Sequence, residues 1–179
     1  RKQQSACEQL AAYEFTTFNF TGGGEPERVA AVSVTGNLFS TLGVLPAAGR
    51  NFLPEEEHSG RNRVAILSDG LSQRRFGADP NLIGRQIQLS GQGYTVVGVM
   101  PPRFQLTQDT ELWTPLTLDL GANRHNLSVI GRLNPGASLA LAQASMDAIT
   151  RQLEQQYPES NTGWGVRMSA FYDWIVPEQ

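Results

Sequence analysis

The chain has 179 residues, enough for one compact domain or two small ones, and can bury a core without disulfides or metal. It is 40% hydrophobic and 17% charged, the balance of a folded globular domain, and its net charge of -3 argues against the basic face that nucleic acid requires. A single cysteine, Cys7, excludes an internal disulfide, and no run approaches the roughly 18 apolar residues needed to span a membrane.

The chain opens with RKQQSACEQL, without an initiator Met or a visible signal peptide, and reads as a piece of a longer protein. Residues 1–11 suit the end of a helix, with Leu10 and Ala11 turned toward a core. Phe15, Phe18 and Phe20 then give strand propensity, GGGEPE makes a turn, and RVAAVSVT returns as a second strand. GNLFSTLGV carries Leu38, Phe39 and Leu42 at helical spacing, with Gly43 as the stop.

RVAILS (63–68) is a short apolar strand. Ser68 or Asp69 can cap the next helix, which buries Leu71 and Phe76 and leaves Gln73, Arg74 and Arg75 to solvent before Gly77 ends it. RQIQLSGQGYTVVGVM alternates on both sides of SGQG, the signature of a hairpin, and MPPRF stops it because proline cannot donate to a ladder. ELWTPL (111–116) is a short strand whose proline suits a sheet edge, and NLSVIGRLNPG (126–136) is another strand.

SLALAQASMDAITRQLEQQYP places Leu139, Ala142, Met146, Ile149, Leu153 and Tyr157 on one stripe, with Ser138 as N-cap and Pro158 after the end. Gln143, Asp147, Arg151 and Glu154 fall on the solvent side. GWGVRMSAFY (163–172) alternates as a final strand. Hairpins interspersed with helices indicate an α+β fold rather than a doubly wound parallel sheet.

No reactive constellation emerges. His58 and His125 sit in polar loops, Cys7 lies near an end, and no G-x-S-x-G elbow or phosphate loop is present. EEEH (55–58) reads as a solvated loop after Pro54 rather than a metal site. Glu111 beside Trp113, and Asp173 beside Trp174, are the pairs that sugar chemistry would use. Arg74 and Arg75 in QRRF, with Arg85 and Arg103, form either a basic patch or a solvated face. The absence of chemistry shifts weight to a binding or mechanical module, with no metal or cofactor expected.

Four blocks in order carry a resemblance: VTGNLFSTLGVLPAAGRNFLPEEE (34–57), VAILSDGLSQRRFGADPNLIGRQIQLSGQGYTVVGVMPPRF (64–104), ELWTPL (111–116) and IGRLNPGASLALAQASMDAITRQLEQQYP (130–158). Together they resemble the MacB-like periplasmic core domain, in particular that of permeases in which the domain occurs twice per chain. The resemblance runs from about Leu10 to Phe171.

It implies an extracytoplasmic domain between the first and second transmembrane helices of an ABC-type, FtsX-like permease of a bacterial cytoplasmic membrane. It also implies a two-part α+β structure. Residues 1–62 and 116–179 would form a porter-like part, and 63–115 an inserted, β-rich, Sabre-like part. The long helix would pack on the porter-like sheet. No catalytic residues carry over, since ATP hydrolysis belongs to a separate domain. The implied partners are the transmembrane helices, an ATPase subunit, a periplasmic adaptor and a second copy of the domain. Arg74, Arg75, Arg85 and Arg103 would be the exposed polar features of the inserted part. The other reading is a stand-alone carbohydrate- or peptide-binding domain built on the Trp–carboxylate pairs. It requires Trp113 or Trp174 to be exposed.

Overall fold

The computed structural model describes residues 6–22, 24–107, 109–117 and 127–171. Alternating apolar residues on either side of the GGGEPE turn fold back into an antiparallel pair. β1 (Cys7–Thr21) and β2 (Glu27–Val34) run in register from Tyr13↔Val34 to Phe20↔Glu27. Residues 7–11, expected as helix, belong to β1. Cys7, Ala11 and Tyr13 are buried while Glu8 and Leu10 are exposed, the two-residue period of a strand. Residues 1–5 lie outside the described set.

α1 (Leu38–Leu42) buries Leu38 and Phe39 and ends at a left-handed Gly43. β3 (Ala48–Gly49) and a 3₁₀ turn (Pro54–Glu57) lead to β4 (Val64–Leu67). α2 (Asp69–Phe76), β5 (Gln86–Leu89), β6 (Gln92–Val99) and β7 (Leu112–Pro115) follow. β5 and β6 form a two-residue hairpin whose Ser90 and Gly91 have φ of +49° and +78°, the paired left-handed conformation that matches strand twist.

The strands pair in the order β2-β7-β4-β6-β5-β1, and β1 also pairs with β2, so six strands close on themselves. β2–β7 and β4–β6 are parallel and the other pairs antiparallel. Closure leaves no long open edge. Phe20, Val29, Ala65, Leu67, Ile87, Leu89, Val96 and Leu112 fill one core, capped by Leu71 of α2 and by Leu82. Phe39, Phe52, Phe104 and Trp113 form an aromatic group with ring centroids 5.6–6.2 Å apart.

β7 corrects an expectation. It is interior, between β2 and β4, with all four residues buried. Pro115 does not interrupt it, because β4 pairs only with Leu112 and Trp113, so the missing N–H falls where no β4 bond is made.

Two compact units divide the chain: residues 11–129 form one, and 1–10 with 130–179 the other. By compactness the divisions fall at 10/11 and 129/130. The physical reason is pairing: β4, β5, β6 and β7, from the 63–115 stretch, close a single ring with β1 and β2.

In the discontinuous unit, β8 (Ser128–Leu133) lies beside β1 in the sheet order, and Ala6 O accepts from Asn134 N at 3.0 Å. α3 (Leu139–Gln156) is capped by Ser138, whose Oγ accepts from Leu141 N at 3.2 Å; α4 (Pro158–Asn161) follows. Its stripe is less buried than its spacing suggests. Ala142 packs against Ala6 and Cys7, but Ile149 and Leu153 are each 38% exposed. The expected final strand is not formed over 163–170; the chain there has no regular structure and is held by a side chain. Gln143 Nε2 donates to Val166 O at 2.7 Å, and Met168 N donates to Gln143 Oε1 at 2.8 Å. Gln143, placed by its spacing on the solvent side, thus holds the following segment through one amide.

Candidate interaction surface

α2 organises the surface. Ser68 is its N-cap, with Oγ accepting from Leu71 N at 3.0 Å, so one orphan donor of the first turn is satisfied. Leu71 points into the core, which turns Arg74 and Arg75 toward the turn between β1 and β2. The two neighbouring arginines end in different environments.

Arg74 is a closed fork. Nη1 and Nη2 donate to the two Glu111 carboxylate oxygens at 2.8 and 3.0 Å, and Nη2 also reaches Glu27 Oε1 at 2.7 Å. The hydrogen bonds from Glu111 raise the Arg74 pKa above its ordinary value; partial burial opposes this, and Glu27 adds to it. Glu27 opens β2, Glu111 precedes β7, and Arg74 sits on α2, so one guanidinium ties three elements together.

Arg75 is not a solvent residue, contrary to the sequence expectation: its side chain is only 13% exposed. Its Cζ lies 4.7 Å from the Phe20 ring centroid, Nη1 donates to Glu25 O at 3.0 Å, and Glu27 Oε2 stands off at 3.7 Å. The reason is steric and electronic: the flat guanidinium covers an aromatic face beneath the turn. Arg85 is 53% exposed, lies over the Phe76 ring at 5.3 Å and approaches Asp79 at 3.7 Å. Arg103 is exposed, adopts a left-handed backbone (φ +65°), and has no hydrogen bond or ion pair among the described residues. It lines a cleft of about 620 Å³ with the first turn of α2, Pro101, Pro102, Asp109 and Glu111. The four arginines therefore do not form one patch. Arg74 is neutralised, Arg75 and Arg85 flank the far end of α2, and Arg103 stands alone on the loop after β6.

EEEH is structural. Glu56 is buried, and its carboxylate accepts from Arg50 at 2.7 and 3.0 Å and from Leu53 N at 2.8 Å. Burial alone would raise its pKa, but the Arg50 and Leu53 donors outweigh burial and hold it below the ordinary value. Glu57 accepts from Gly36 N at 2.6 Å, and His58 is exposed. Among the described residues, no three His, Cys, Asp or Glu side chains come together as a metal site.

The sugar-type pair is dismantled. Glu111 is committed to Arg74, and Trp113 is fully buried against Phe39 and Phe104. Asp173, Trp174 and His125 lie outside the described residues. The carboxylates of Glu27 and Glu111 and the backbone carbonyl of Glu25 lie 37 to 50 positions from the arginines they meet, a separation that sequence spacing does not reveal.

Comparison with known proteins places this geometry. The MacB-like periplasmic core domain matches residues 2–149. The macrolide export ATP-binding/permease protein MacB of Burkholderia thailandensis is 29% identical over 130 residues, covering 69% of this chain and 20% of that protein. The chain thus spans about a fifth of the length of that relative. The periplasmic region of MacB from Actinobacillus actinomycetemcomitans shares the fold at a TM-score of 0.67 and 15% identity, over 89% of this chain and 72% of that structure. The extracellular domain of the noncanonic ABC-type transporter YknZ from Gram-positive bacteria does so at 0.66 and 18%, over 88% and 80%. The family match takes in β1 to β8 and most of α3. This chain belongs to the family of MacB-like periplasmic core domains, extracytoplasmic domains of ABC-type permeases.

Proposed function

We propose that the chain is a non-catalytic module of its permease, passing conformational change from the membrane helices to a periplasmic partner or substrate. The family match over residues 2–149 is the observation that carries this reading. The arrangement of α2 supports it. Arg74 ties α2 to β2 and β7, so the helix and the closed sheet move as one piece, while Arg85 and Arg103 extend from it toward solvent. A part that transmits motion needs that rigidity together with polar groups left for a partner.

The test is transport by the parent protein in membranes, with a macrolide as probe because the Burkholderia relative is named for macrolide export. Arg85→Glu and Arg103→Glu are introduced together, and the thermal stability of the isolated chain is measured alongside. Loss of transport at unchanged stability is the expected result. Unchanged transport removes the partner-contact reading. The stand-alone carbohydrate-binding alternative loses its described tryptophan, since buried Trp113 presents no face to a sugar.

A further inference from the structure

Beside the last turn of α2 is a notch of about 450 Å³, and its charged lining residues are Arg75 and Arg85, with no acid among them. The guanidiniums are stacked, with carboxylates only at long range: Arg75 on Phe20 with Glu27 at 3.7 Å, Arg85 on Phe76 with Asp79 at 3.7 Å, and the two rings edge-to-face at 5.9 Å. Stacking fixes each plane and leaves its edge donors available. Neither fork is closed as that of Arg74 is. Arg75 Nη2 is buried without a hydrogen bond, and the nearest carboxylates stand at 3.7 Å from both arginines. A buried donor without a hydrogen bond is destabilising, so the site lacks an acceptor.

Two further features narrow the acceptor. Gln86 and Gln88 are exposed and their amides make no hydrogen bond among the described residues. The edge of β5 toward β1 is paired only at Gln88↔Thr21 and Leu89↔Phe20; Ile87 turns its backbone groups to Tyr94 of β6, so the N–H and C=O of Gln86 are the ones left open there. A free phosphate can engage two guanidiniums but cannot use a strand edge. An extended polypeptide with a carboxylate uses both, the carboxylate matching a guanidinium fork and the backbone adding to the strand.

We infer that this notch binds an aspartate or glutamate side chain carried on an extended segment of a partner polypeptide, laid along the open edge of β5. The inference rests on the partner-contact reading above and names the chemistry of that partner.

The probes are acetyl-Val-Thr-Glu-Thr-Val-amide, its Gln counterpart and inorganic phosphate, each titrated into the full ¹⁵N-labelled chain. The readouts are the Arg Nε–H resonances and the Gln86 amide. The Glu peptide should move Arg75, Arg85 and Gln86 saturably and leave Arg74 unmoved. The Gln peptide, and the Glu peptide with Arg85→Gln, should bind at least about tenfold more weakly. Arg85→Lys keeps the charge without the fork and should fall between. Equal binding of the Gln peptide overturns the inference. So does phosphate binding as tight as the Glu peptide with Gln86 unmoved, which would make the notch a free-anion site, or the absence of any saturable shift. Failure here with the transport effect intact removes the notch alone; peptide binding without a transport effect removes the permease-partner reading alone.

Discussion

Gly49 holds a two-residue strand against the closed sheet, and its replacement by alanine separates a contact effect from a backbone effect. β3 pairs with β6 through Ala48↔Val99 and Gly49↔Gly98, flanked by Ala47 N to Val99 O and Arg50 N to Val97 O, both at 2.8 Å. Gly49 has φ +77°, and a Cβ there would stand 2.2 Å from Val97 O and 2.9 Å from Gly98 Cα. Non-bonded heavy atoms normally stand near 3.5 Å, so the strand must move by about 1 Å. That displacement breaks the two flanking hydrogen bonds, each worth about 1 kcal/mol net. The left-handed backbone adds about 1 kcal/mol for any residue with a Cβ. Gly49→Ala should therefore cost about 3 kcal/mol in urea unfolding and speed hydrogen exchange at Ala47 and Arg50. Gly60→Ala is the control, with φ +87° and nothing within 4 Å of the added Cβ, so only the backbone cost of about 1 kcal/mol applies. Equal losses for the two variants would refute the contact argument.

Glu56→Gln removes the carboxylate whose folded-state pKa lies below its ordinary value of 4.5. A depressed pKa gives stability that is present above the unfolded value and lost as pH falls through the folded one. The wild-type advantage over Glu56→Gln should be about 1.5–3 kcal/mol near neutrality and shrink toward zero in acid; a difference that is constant across this range contradicts the assignment. With Trp164→Phe and Trp174→Phe combined, Trp113 becomes the sole tryptophan of the three. Its emission should be blue-shifted, resistant to acrylamide and unchanged by soluble saccharides. Quenching by a saccharide would restore the carbohydrate reading.

What could be read from sequence follows the range of the forces involved. Ser68 and Ser138 are found as caps, and the Ser90–Gly91 hairpin as a turn, because each signal lies within a few residues of its effect. β7 is misplaced to an edge because four buried residues and a proline read alike at an edge or in the interior. Only its partners β2 and β4, at least 45 positions before it, decide. The start of β1 looks helical because Glu8, Gln9 and Leu10 favour helices locally, and pairing with a distant strand overrides propensity. The stripe on α3 is legible as a helix face, but its degree of burial depends on what lies opposite, which spacing does not encode.

The arginines show the same limit from the other side. From sequence, Arg74, Arg75, Arg85 and Arg103 are equivalent cations, on a solvated face or in a basic patch. In the structure Arg74 is closed by Glu27 and Glu111, acids 47 and 37 positions away, and contributes no free charge. A patch counted from sequence thus overstates what a partner meets, and the useful quantity is the donor that the chain itself does not satisfy. By that measure Arg74→Ala loses an internal tie, of the size of exposed ion pairs at about 0.2–1 kcal/mol each, and leaves recognition untouched. A substitution at Arg85 does the reverse, since its guanidinium is stacked but not paired at hydrogen-bond distance.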